Sequence, residues 1–185
     1  MVSEKLITFI VKMKHYVVAY PRINESDYTM IQNIRKEHDH LYDNIKPHFT
    51  CVFGAEMSSE SFVNEIKKQS SPAKPVHFSI RCAVVNKDAF SEMYFTFLVP
   101  DEGFSEFVKI HDNFYSDKLS GFLRWDIDYI PHIAIARSSD KMVCKKLADE
   151  WNESQRVIHG HISSFEIITF ENRVLKTLML IPLDN

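Results

Sequence analysis

The stretch KPHFTCVFG (46–54) and its partner YIPHIAIAR (129–137) decide how this chain is read. Each sets Pro-His at the head of an apolar run with the composition of a buried strand. Histidine is a poor occupant of such a run unless its ring has a task, because a buried polar group needs a partner. Residues i and i+2 of a strand share a face, so His48 and Thr50 present an imidazole and a hydroxyl together. Cys51 then points the other way, which argues against a Cys-His nucleophile. In the second stretch the position two after His132 is Ala134.

Working outward, the chain alternates strand and helix patterns. HYVVAYP (15–21) reads as a strand closed by proline, and residues 1–14 as strand material leading into it. A helix over 24–43 is capped by Asn24 or Ser26, with Ile31, Ile34, His38 and Leu41 at helical spacing. After the strand at His48 come a serine-capped helix at 57–69 and a hairpin formed by 77–85 and 92–100. A helix over 102–119 carries Phe104, Phe107, His111 and Phe114 on one face and stops at Gly121. The second Pro-His strand leads to a helix over 138–154, with Val143, Leu147 and Trp151 on its apolar face, and to strands at 164–170 and 174–183.

The order strand, helix, hairpin therefore occurs twice, and the register of the repeat can be tested. His48 and His132 lie 84 positions apart, and His77 and His161 follow them by 29 positions each. Chance would supply roughly one His-x-Ser/Thr triplet in such a chain, whereas three occur, at 48, 77 and 161. The expected architecture is α+β: two pseudo-symmetric lobes of antiparallel sheet with flanking helices around a central cleft, in one bilobal domain spanning 1–185.

Bulk properties exclude several classes. A 45% hydrophobic content with 14 phenylalanines fits a packed interior, and a net charge of −3 argues against a general nucleic-acid coat. Three scattered cysteines form neither a disulfide framework nor a zinc knuckle and fit a reducing, cytoplasmic setting. No run reaches the roughly 18 apolar residues of a membrane helix. Only four glycines are present, so a glycine-rich phosphate cradle is not expected.

Two histidines across a pseudo-two-fold axis suit attack on a phosphodiester. One imidazole takes a proton from water and the other protonates the leaving oxygen, with a hydroxyl donating to a non-bridging oxygen. His-x-Thr strands preceded by proline resemble those of the 2H phosphoesterase superfamily, in its 2',5'-RNA ligase-like branch of RNA 2',3'-cyclic phosphodiesterases. The resemblance covers YVVAYP, IQNIRKEHDHLYDNIKPHFT and YIPHIAIAR. It implies His48 and His132 as the catalytic pair, His48 leaning to acid and His132 to base. Thr50 and Arg137 would contact phosphate, with Ala134 lining the cleft. Tyr129, read from its place just before the second motif, is a cleft-lining candidate that could stack on a base or equally an ordinary strand-start tyrosine. The resemblance also implies no metal requirement and action on RNA ends or cyclic nucleotides, and the chain is read as a monomer without a cofactor. Ala134 departs from the pattern, since a Ser or Thr is expected there. One lost charge-assisted hydrogen bond, roughly 1.5–3 kcal/mol, would slow turnover about ten- to hundredfold.

Other polar residues have plainer readings. His77 and His161 read as exposed strand-end histidines, His38 and His40 as solvated on a charged helix, and His111 as a core or boundary residue. His159 and His161 have spacing for a metal but no third ligand, where a zinc centre needs three. Arg35 and Arg137 are equally well solvated or salt-bridged residues.

Overall fold

Two antiparallel sheets, each with a Pro-His strand on one edge, carry the computed structural model, which describes residues 13–183. The strand reading of residues 1–12 lies outside them. The elements in order are β1 (Lys14–Ala19), β2 (Arg22–Ile23), α1 (Glu25–His38), β3 (Phe49–Glu56), α2 (Ser59–Ser70), β4 (Val76–Lys87) and β5 (Tyr94–Glu102). Then come α3 (Phe104–Phe114), β6 (Ile133–Ser138), α4 (Lys141–Glu153), β7 (Ile158–Ile162), β8 (Ser164–Glu171) and β9 (Val174–Pro182). One sheet has the order β3-β1-β8-β9, the other β2-β7-β4-β5-β6. The fold is thus α+β with antiparallel sheets and flanking helices, as the alternation of patterns implies. One apolar cluster draws on both sheets, including Val17, Phe49, Ile80, Leu98 and Ile167.

The repeat is longer than strand, helix, hairpin. The order β1-α1-β3-α2-β4 recurs as β5-α3-β6-α4 followed by β7 and β8, which only Ser163 separates. Each Pro-His strand pairs with the strand that opens its own half, β3 with β1 and β6 with β5. His77 and His161 are direct cross-strand partners with ring centroids 5.4 Å apart, so their equal offsets mark the seam between β4 and β7.

Several boundaries differ from the sequence reading. Helix α1 ends at His38 because Asp39 turns extended, its carboxylate accepting from Arg35 Nε at 2.8 Å and from the Leu41 N–H at 2.9 Å. Asn24 is its cap, accepting from the Asp27 N–H. Helix α3 ends at Phe114 instead of near Gly121. Buried Tyr115 leaves the helix there, and its hydroxyl accepts from the Phe53 N–H at 3.0 Å. In α4 the buried stripe is Cys144, Ala148 and Trp151, with Asp140 as the cap. Strand β7 was hidden in IHGHI, where a glycine between histidines lacks strand character. Gly160 is needed there, since a Cβ would fall 2.6 Å from both Ile23 and Phe78.

Candidate active site

Each histidine sits immediately before its strand, and the proline before it explains the position. Lys46 and Ile130 precede prolines, which holds them extended and fixes the direction of their carbonyls. His48 Nδ1 lies 2.8 Å from the Lys46 carbonyl oxygen, and His132 Nδ1 lies 2.6 Å from that of Ile130. A carbonyl can only accept, so Nδ1 carries the proton in both neutral rings, and Nε2 has no hydrogen-bond partner among the described residues. The repeated Pro-His thus sets a tautomer and an orientation. His132 is held further by Phe97, whose ring stacks on it at 3.6 Å between centroids.

A second backbone device is also repeated. In the β1–β3 pair Val18 opposes Thr50 and Val17 opposes Val52, leaving Cys51 as an extra residue. In the β5–β6 pair Phe97 opposes Ala134 and Thr96 opposes Ala136, leaving Ile135 extra. Each bulge falls three residues after its histidine and reverses the alternation of faces. Cys51 and Ile135 are buried, while Phe53 and Arg137, five residues after the histidines, return to the face of Thr50 and Ala134. Cys51 is turned away from His48, and burial pushes its thiol up to about 12, which removes it as a nucleophile.

Two cavities meet at Phe53. One of about 360 Å³ is lined by His132, Ala134, Phe97, Phe95 and Phe90. The other, about 170 Å³, is lined by His48, Thr50, Leu41, Ile45 and Ile168. Phe53 borders both. Burial lowers both histidines to about 4, although each residue is only partly buried and lines its cavity. The backbone acceptors at Lys46 and Ile130 oppose that fall, and the charge of His48 adds to it at His132.

Tyr129 packs edge-on against Phe53, at 6.4 Å between ring centroids, and is not itself part of the lining of either cavity. Its ring stacks on His111 at 3.7 Å, and its hydroxyl donates to the Thr50 carbonyl at 3.2 Å. With the Tyr115 hydroxyl on Phe53 N–H, it satisfies the open edge of β3 and ties the second motif to the first. His111 is buried, bonded to Asp112 and held below the usual imidazole range by burial. Arg137 is half-buried beside the larger cavity, its guanidinium 5.6 Å from the Phe95 centroid. His40 is not merely solvated on a helix: it lies past α1, with Nε2 accepting from Arg137 Nη1 at 3.2 Å. Arg35 is buried and bonded to Gln32, Asp39 and Ile45. Sequence reasoning missed Phe53, Phe97 and His40; the shared spacing of Phe53 and Arg137 was the available signal. Among the described residues no group of three or more His, Cys, Asp or Glu is arranged to hold a metal.

The profile of the 2'-5' RNA ligase superfamily matches residues 21–173, a span that holds both Pro-His strands. The chain belongs to this superfamily. Its fold is similar to that of E. coli LigT complexed with 3'-AMP, at TM-score 0.55 and 13% identity, covering 94% of this chain and 99% of LigT. It is also similar to TT0787 of Thermus thermophilus, at TM-score 0.59 and 14% identity over 92% and 98% of the two chains. Usb1 of Kluyveromyces marxianus matches at TM-score 0.53 and 8% identity over 93% and 99%. No curated protein matches by sequence. Superfamily membership supports a phosphoesterase or RNA-processing role, and no described helix is long and apolar enough to cross a membrane.

Proposed function

We propose that this chain is a metal-independent phosphoesterase that opens 2',3'-cyclic phosphates on RNA ends or small nucleotides. The observation that carries the reading is the matched pair of imidazoles, each with Nδ1 tied to a backbone carbonyl and Nε2 without a hydrogen-bond partner among the described residues. His132 as general base takes a proton from water, whose oxygen bonds to phosphorus. The ring P–O bond breaks, and His48 as general acid protonates the departing ribose oxygen, leaving a phosphomonoester and a hydroxyl. Thr50 donates to a non-bridging oxygen and Arg137 supplies positive charge. The phosphate anion raises the pKa of the adjacent imidazole, so one ring can be an acid near neutral pH. E. coli LigT complexed with 3'-AMP adds support, since that ligand is a nucleoside monophosphate of the product class. Free cysteines, two of them buried, fit a reducing cytoplasm, and we read the protein as a monomer acting as one bilobal domain.

A second reading, an RNA-end or nucleotide-binding module without turnover, is favoured by Ala134, which leaves the second motif without a hydroxyl. The deciding experiment is turnover of a 2',3'-cyclic mononucleotide and of an oligonucleotide ending in a cyclic phosphate, in excess chelator, with His48→Ala and His132→Ala alongside. Chelator-resistant turnover lost in both variants supports the hydrolase. Retained substrate binding with no turnover above the variants moves the reading to the binding module.

A further inference from the structure

Arg137 projects from a short edge strand beside Phe95 and Asp88, which line the cavity of His132, and nothing on β6 itself fixes its guanidinium. The partners come from elsewhere. Nη1 donates to His40 Nε2 at 3.2 Å, and Nη2 lies 3.9 Å from Asp88 Oδ2 on the β4–β5 loop. Nε is buried without a hydrogen-bond partner among the described residues. Among the described residues His40 therefore makes the one close hydrogen bond that sets the rotation of the guanidinium plane.

His40 is itself held by a chain of fixed groups. Arg35 is 2% exposed and spends its donors on Gln32 Oε1, the Asp39 carboxylate and the Ile45 carbonyl. Asp39 in turn accepts from the Leu41 N–H, which shapes the turn that displays His40. Burial, then the charge of Arg137, lowers the pKa of His40, so the ring is neutral and Nε2 can accept.

We propose that His40, contributed by the first half of the chain, is a positioning residue that orients Arg137 of the second motif toward the substrate phosphate. This rests on Arg137 being a phosphate contact, as the proposed function has it. An exposed hydrogen bond adds little to stability; its effect here is to hold a flexible side chain in one orientation before the anion arrives.

The test is a double-mutant cycle read by KM and kcat for a 2',3'-cyclic mononucleotide and by the Kd for inorganic phosphate. His40→Ala should raise KM and the phosphate Kd about three- to tenfold, the scale of one hydrogen bond, with kcat within about twofold. His40→Gln, which keeps an acceptor, should recover most of the loss. In an Arg137→Ala background His40→Ala should change nothing further. An equal loss in that background, failure of Gln to rescue, or no effect of His40→Ala would overturn the positioning role while the phosphoesterase reading stands. A wild-type protein that neither binds phosphate nor turns over the nucleotide would overturn both.

Discussion

Strands β3 and β6 share a backbone and differ in what they offer a ligand. Both follow a proline-fixed histidine bonded through Nδ1 to the carbonyl two residues back, and both bulge three residues after it. Two half-buried positions then diverge: Thr50 stands where the other strand has Ala134, and Phe53 where it has Arg137. The first strand supplies a hydroxyl and an aromatic wall, the second a methyl and a cation. Duplicated geometry with divided chemistry means that a phosphate would be held unequally from the two sides. On the proposed reading, the two histidines are then not interchangeable.

The most severe way to break the comparison is to remove either ring. His48→Ala and His132→Ala should each lower kcat for a cyclic mononucleotide by about 10²–10⁴, the range of a general acid or base. The ring contacts are local, so circular dichroism should show both variants folded. A loss confined to one variant would show that only one half performs chemistry.

The next effect is on pH. In the free protein both rings titrate near 4, so the form with one proton shared between them thins about tenfold per pH unit above that value. The kcat/KM profile should therefore fall on its alkaline side from an acidic maximum. The alkaline limb of kcat should lie higher, because bound phosphate favours imidazolium. Stability has the opposite sign. An unfolded histidine takes its proton near 6.5, so between 6.5 and about 4 the unfolded chain binds more protons. The urea midpoint should be highest above pH 6.5 and decline as pH drops toward 4. NMR titration midpoints near 6.5 for both rings would remove the basis of both expectations.

The hydroxyl difference can be tested in both directions. Thr50→Ala should cost about ten- to hundredfold in kcat/KM, on the scale of one charge-assisted hydrogen bond. Ala134→Ser should raise kcat/KM, by about tenfold or less, because Phe97 opposes this position and stacks on His132. A decrease instead would mean that the methyl fits the aromatic cavity and that the asymmetry has a use. At the small end, His77→Ala on the exposed face of β4 should leave turnover unchanged and stability within about 0.5 kcal/mol. A loss of turnover there would extend the site to the β4–β7 seam.

What the sequence displayed and what it hid divide along physical lines. The histidines, the alternation around Thr50 and the 84-residue register are local or periodic, and they were legible. The bulges were not, because an extra residue leaves composition untouched while moving Arg137 to the opposite face from simple alternation. The His40–Arg137 bond joins residues 97 apart, and only the packed chain brings them together. Tyr129 has the ordinary profile of a stacking residue, yet His111 and the Thr50 carbonyl use both its ring and its hydroxyl. Strand β7 failed on propensity: its glycine is required by the close approach of Ile23 and Phe78, a tertiary demand.

The sheet order has a consequence for synthesis on the ribosome. Strand β1 lies between β3 and β8, so its second partner is not made until residues 164–171 emerge. Strand β6, by contrast, finds β5 and β4 already translated. The half that is made first is therefore finished last, and His48 waits on the C-terminal hairpin for its sheet to close. A premature stop after β6 would leave both Pro-His strands their immediate partners, β1 and β5, yet strip β8 and β9 from the sheet of His48, although His48 lies far upstream of the lesion.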